Sequence, residues 1–154
     1  MEIELEIRIN SQINSSLDAN WVRQVITKAL SVSEIKLPVE LGVIITSDRI
    51  IQKLNRKYRG LNTTTDVLSF ALTEKSTMED SLFLTPPNGI TYLGEIAISY
   101  PQAKKQAEEE GHPVKYEVAL LLAHGVLHLA GYEHNEPQEA KEMKSLESKI
   151  LQEL

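Results

Sequence analysis

Three of the chain's four histidines fall in one short segment, His124-Gly125-Val126-Leu127-His128-Leu129-Ala130-Gly131-Tyr132-Glu133-His134. On an α-helix, positions i and i+4 lie one turn apart on the same face, so His124 and His128 can point at one ion. Gly131 can adopt the left-handed backbone that ends a helix and turns the chain, which would bring His134 across as a third nitrogen donor. Three imidazoles leave one tetrahedral position open for water or substrate, the pattern of a catalytic rather than a structural zinc. The competing reading makes the helical histidines satisfied core residues, or the cluster a surface accident. Both, however, sit in the most apolar stretch of the chain, where uncompensated imidazoles are costly. The fourth histidine, His112 before Pro113, is expected at a helix start or on the surface. The sequence has no cysteine, so a transition metal must be held by His, Asp or Glu. Imidazoles suit zinc, and they also bind nickel and copper.

The spacing resembles that of the metzincin proteases, H-E-x-x-H-x-x-G-x-x-H. The three histidines and Gly131 match it. Gly125, however, stands where the protease has its glutamate, and without that general base peptide hydrolysis by the usual route lacks a proton acceptor. Met143 lies too close, inside an expected helix, to form a Met-turn.

The elements that position this segment are legible from periodicity. Residues 3–9 alternate Ile3, Leu5, Ile7 and Ile9 against Glu4, Glu6 and Arg8, as a half-buried strand near a sheet edge does. Residues 18–31 form a helix with Asp18 as N-cap and Trp21, Val25, Ile26 and Leu30 inward. Val39 to Thr46 is a β-branched strand, and Ser47 or Asp48 caps a helix through Tyr58 that Gly60 stops. Val67 to Leu72 and Tyr92 to Ile98 are two more strands, separated by a long polar loop over 73–89. Ser99, Pro101 and Gln102 open a helix that Gly111 closes. Val114 to Ala130 is the histidine helix, and Asn135 to Gln138 starts a last helix with Met143, Leu146 and Ile150 inward. The expectation is one α+β domain over 1–154: a single compact unit with a small mixed four-stranded sheet and about five helices.

Composition narrows the class. A chain of 154 residues with 42% apolar and 25% charged residues has the make-up of an ordinary globular domain. Its apolar runs fall far short of the roughly 20 residues that span a bilayer, so no membrane partner is expected. The start, MEIELEIRIN, lacks the basic and apolar regions of a signal peptide, which points to the cytoplasm. The net charge of −6 argues against coating nucleic acid by bulk electrostatics. Yet Arg49, Lys53, Arg56, Lys57 and Arg59 form a basic stretch with no acid among them. It is either a guide for a phosphate backbone or a solvated helix face.

Three blocks together carry a resemblance. The segment from His124 to His134 resembles the H-G-x-L-H-L-x-G-Y-D-H signature of the YbeY family, bacterial single-domain endoribonucleases involved in rRNA maturation. Asn55-Arg56-Lys57-Tyr58-Arg59-Gly60 and Thr65-Asp66-Val67-Leu68-Ser69-Phe70 resemble its N-x-x-Y-R-G and P-T-D-V-L-S-F elements, and Leu93-Gly94-Glu95-Ile96-Ala97-Ile98-Ser99 its L-G-D-I-x-I-S strand. The order and spacing of the blocks run through nearly the whole chain. Thr64 and Ala71 replace frequent prolines, and Glu95 and Glu133 replace aspartates.

The resemblance implies a zinc-dependent, single-strand-specific endoribonuclease that matures small-subunit rRNA ends and serves ribosome quality control. It implies one Zn2+ on His124, His128 and His134, other divalent transition metals being admissible. Its partners would be single-stranded RNA or rRNA, ribosomal proteins and a ribosome-assembly GTPase. Arg59, carried over from the family's arginine, would pair with the scissile phosphate, unless it only complements the helix dipole. Asp66, Glu95 and Glu133 would orient ligands or act as caps and surface acids. The alternatives are a metal-dependent hydrolase of another substrate such as peptide, and a non-catalytic ribosome-assembly factor.

Overall fold

Period-two alternation builds the sheet and period-3.6 stripes cover it. The computed structural model describes residues 3–10, 17–35, 38–71, 91–132, 135–152 and 154. Strands β1 (Ile3–Ile9) and β2 (Val39–Thr46) are each followed by a helix, α1 (Ala19–Val32) and α2 (Asp48–Arg59). Then come strands β3 (Val67–Ala71) and β4 (Thr91–Ser99) and three helices in succession, α3 (Tyr100–Glu110), α4 (Val114–Leu129) and α5 (Pro137–Gln152). The strand order is β1-β2-β4-β3. β1, β2 and β4 run parallel, while β3 pairs antiparallel with β4 at the far edge. This is the α+β arrangement with a mixed four-stranded sheet and five helices that the periodicity predicts. The expected loop over 73–89 lies outside the described residues, as does Leu72.

Local signals set the helix ends. Asp18, Ser47 and Ser99 each accept a backbone N–H from the first turn of the helix they precede, which satisfies donors that a helix leaves open.

In β2 the alternate residues Val39, Leu41, Val43 and Ile45 are buried in one core with Val22, Val25 and Ile26 of α1, Val118, Leu122 and Val126 of α4, and Met143 and Ile150 of α5. The opposite sheet face carries a smaller cluster of Leu68, Phe70 and Ala97, covered by Ile51 of α2, with Ile44 and Leu54 against it. α1, α4 and α5 therefore fill one side, and among the described residues α2 caps part of the other. Trp21 and Leu146, expected inward, are only partly buried against the main core.

Candidate active site

α4 carries His124 and His128, and its position is set by a glycine. A Cβ at Gly125 would stand 3.0 to 3.1 Å from three side-chain carbons of Ile96, an isoleucine with no solvent exposure. The helix backbone therefore lies directly on β4 at that point. Even a Cβ in this place requires Ile96 to give by a few tenths of an ångström, so Gly125 does more than lack a base: the packing opposes a larger side chain.

One turn apart on α4, the His124 and His128 rings lie 4.6 Å apart, centroid to centroid, at an interplanar angle of 75°. Both are half-buried. Lys115 reaches over the Trp21 ring of α1 at 5.0 Å, and helical periodicity places His124 on the opposite flank of α4. The His124 Nδ1 contacts the Glu147 carboxylate of α5 at 2.5 Å. With Nδ1 holding the proton and donating it to Glu147, the other nitrogen, Nε2, presents its lone pair. This is the usual way a carboxylate orients a metal-binding imidazole. Beyond α4, Gly131 adopts φ 99°, while the Gly131 and Tyr132 N–H groups donate to the His128 and Leu127 carbonyls. The chain thus turns where the sequence predicts. His134 and Glu133 lie outside the described residues. Among those described, no group of three His, Asp or Glu side chains is placed to hold a metal. The donor set that is described, two neighbouring imidazoles with one braced at Nδ1, fits zinc as two of its ligands.

Arg59 ends α2 on the other side of the sheet. Gly60 caps the helix in the left-handed conformation, φ 71°, which glycine adopts without steric penalty. Buried Asn55 donates from Nδ2 to the Thr63 carbonyl at 3.0 Å and holds the connection that leads into β3. Arg59 Nη2 donates to the Ser69 carbonyl at 2.7 Å, and its Cζ lies 5.3 Å from the centroid of Phe70. Tyr58 packs on the same ring at 5.0 Å, with Lys57 Nζ 5.2 Å from the Tyr58 centroid. Arg59 thus reaches past its helix end to the edge strand. α2 and α4 both pack against β3 and β4, on opposite faces of the sheet, so Arg59 and the histidine pair belong to helices that share these two strands. The basic residues Arg49, Lys53, Arg56, Lys57 and Arg59 are all exposed.

The other acids do different work. Asp66 accepts from the Val67 N–H at 2.8 Å and from Gln106 Nε2 at 3.1 Å, tying the start of β3 to α3. Glu95 lies on the sheet face away from α4, near Tyr92. Burial pushes the Tyr92 phenol above its ordinary value, with the charges of Glu95, Glu40 and Glu6 adding to the effect. His112 is no simple surface residue: its Nε2 contacts the buried Glu117 at 2.6 Å. The residue that sequence reasoning missed is Glu147. Its signal was there, because it falls in the inward stripe of α5 between Met143 and Ile150, an unusual place for a carboxylate.

The comparisons with known proteins bear on the family and the fold. The sequence profile of the endoribonuclease YbeY family matches residues 4–154. An endoribonuclease YbeY from a Roseiflexus species is 38% identical, the match covering 99% of this chain and 94% of that protein. One from Dehalococcoides mccartyi is 42% identical over 93% of this chain and 88% of that protein. A solution structure of a Thermotoga maritima protein superposes with a TM-score of 0.61 at 26% identity, covering 97% of this chain and 87% of that one. With a full-length profile match and relatives this similar, the chain belongs to the endoribonuclease YbeY family.

Proposed function

We propose that this protein is a zinc-dependent endoribonuclease that cuts single-stranded RNA, acting in the cytoplasm on small-subunit rRNA ends. Ribosome quality control, with ribosomal proteins and a ribosome-assembly GTPase as partners, is the setting that its family resemblance supports. The single observation carrying the reading is the His124–His128 pair with Glu147 braced at Nδ1, on a helix where Gly125, packed close to Ile96, stands in the place of a protease's base.

His124, His128 and His134 would hold the metal. When bound, zinc supplies Lewis acidity toward a phosphoryl oxygen or water. Glu147 keeps the His124 ring in one orientation and one tautomer, so Nε2 is committed to ligation. Arg59 binds the phosphate. A guanidinium has five N–H donors in a rigid fork, and its bond to Ser69 holds it at the β3 edge. There it stabilises negative charge as it grows on the phosphate oxygens. The exposed cations of α2 guide the strand to this edge.

The test compares zinc-loaded wild-type, His128→Ala and Arg59→Glu proteins on single-stranded RNA and on casein. His128→Ala is expected to abolish RNA cleavage, and Arg59→Glu to lower it by about 10²–10³-fold, the usual loss for one charge-stabilising donor. RNA cleavage at full rate in both variants sinks the reading, and casein hydrolysis that His128→Ala abolishes replaces it with a protease.

A further inference from the structure

The sheet face opposite α4 is only partly covered by α2. Beside that helix, among the described residues, lies a concavity of about 260 Å3 whose lining includes Ile44, Ala97, Phe70, Tyr58 and Glu95. The Glu6–Arg8 ion pair stands at its outer rim.

Gly42 is the reason the space exists. It lies in the interior of β2, aligned with Glu6 of β1 and Glu95 of β4. A glycine there weakens the strand, and such glycines mark bulges, tight bends or places where a ligand approaches closely. Its φ is not among the positive values, and the register shift falls between Glu40 and Leu41 instead. A Cβ at Gly42 meets nothing nearer than Glu95 Cγ at 3.5 Å, an ordinary contact. Backbone and surroundings therefore both admit a side chain, and a β-branched one would strengthen the strand. What the glycine preserves is the open volume.

We propose that this concavity is a nucleobase subsite for the RNA strand, selective for guanine. The inference rests on the reading of single-stranded RNA as substrate. At about 260 Å3 the space is smaller than the roughly 300–1,000 Å3 of pockets for drug-sized ligands, so it takes a base and leaves the sugar and phosphate outside. Tyr58 is 44% exposed and offers a ring for stacking, the main source of single-strand affinity. The Glu95 carboxylate only accepts hydrogen bonds. Of the four RNA bases, guanine alone presents two adjacent donors, N1–H and the N2 amine, to one carboxylate. Adenine and cytosine set a ring acceptor beside their amine, and uracil flanks its one N–H with two carbonyls. Arg59 lies against Phe70 and Lys57 over Tyr58, so the phosphates flanking a base stacked at Tyr58 fall among cations.

The test uses fluorescein-labelled pentamers UUGUU, UUAUU and UUIUU, where I is inosine, which lacks the N2 amine. Binding is read by anisotropy in the His128→Ala protein, which leaves the strands uncut, and cleavage is read in the wild type. UUGUU is expected to bind at least about fivefold tighter than UUAUU, with UUIUU between them, as a good bidentate contact allows. Adding Gly42→Leu or Gly42→Val should remove that preference without weakening UUAUU binding or lowering the thermal midpoint, and Glu95→Gln should shrink it. Equal binding of all three pentamers, or a preference that survives both Gly42 variants, overturns the inference while RNA cleavage by the wild type stands. That is also the result if the concavity instead receives a protein side chain. A midpoint that falls in both Gly42 variants overturns it too, because the fold would then need the glycine. If no strand is bound or cut at all, the RNA reading itself fails.

Discussion

Glu147 meets His124 across the α4–α5 contact with its side chain only 12% exposed. A carboxylate seldom occupies so covered a place without a partner that compensates its desolvation. An imidazole Nδ1–H does so, and the arrangement fixes the ring and assigns the lone pair to the nitrogen on its far side. Glu147→Ala is therefore expected to weaken zinc affinity by about 10–100-fold, measured by competition with a chromophoric chelator. Glu147→Gln, which keeps an acceptor, should recover part of that loss. If all three proteins bind zinc equally well, Glu147 serves helix packing alone. Arg59 shows the same limit on sequence reading. A basic residue at a helix end is consistent with dipole complementation, and only its bond to Ser69 on a different element shows that it is aimed at the strand edge.

At the scale of elements, the contact between α4 and β4 decides what chemistry the histidine helix supports. Gly125 and Ile96 are in contact because neither has room to move: the isoleucine is fully buried and its β-branched side chain has few rotamers. Gly125→Ala adds up to about 1 kcal/mol of helix propensity, but overpacking of this kind costs roughly 1–3 kcal/mol. The net expectation is a loss of about 1–2 kcal/mol in denaturant unfolding. Ile96→Val, which removes the Cδ1 carbon, should relieve part of it in a double-mutant cycle. Additive effects of the two substitutions would show that the close approach does not limit this helix. Sequence reasoning located the helix and its glycine correctly but treated Gly125 as a missing base. The steric reason lies in β4, remote along the chain, and no local pattern carries it.

For the whole molecule, the main core joins the sheet to α1, α4 and α5 through apolar side chains. His124 and His128 are only half-buried beside this core, so a protein without metal is expected to fold, unlike a zinc finger. A ligand that binds only the folded state stabilises it by about 2.7 kcal/mol at a free concentration of 100 times its Kd. For a domain of this size that corresponds to a rise of roughly 5–10 °C in thermal midpoint. Differential scanning calorimetry of chelator-treated and zinc-saturated protein should show two cooperative transitions separated by that interval. A chelated protein with no transition would mean that the metal organises the fold, and coincident transitions would mean that it binds elsewhere or not at all.

Strands, helices and caps were legible in the sequence because the forces behind them are local. Alternation marks β1, β-branched residues mark β2, and Asp18, Ser47, Ser99, Gly60 and Gly111 each close a helix end through bonds to residues a few positions away. The histidine pair was legible for the same reason, since one helical turn relates its members. Tertiary structure alone decided the strand order, with β3 at the edge between α2 and α4, because that order depends on contacts between distant segments. It also decided that Glu147 rather than Asp66 or Glu95 braces His124, and that Gly125 and Gly42 do opposite things. At the first, Ile96 occupies the place of a side chain; at the second, the place is kept open. Two glycines read alike in a sequence, and only the atoms packed around them tell contact from space.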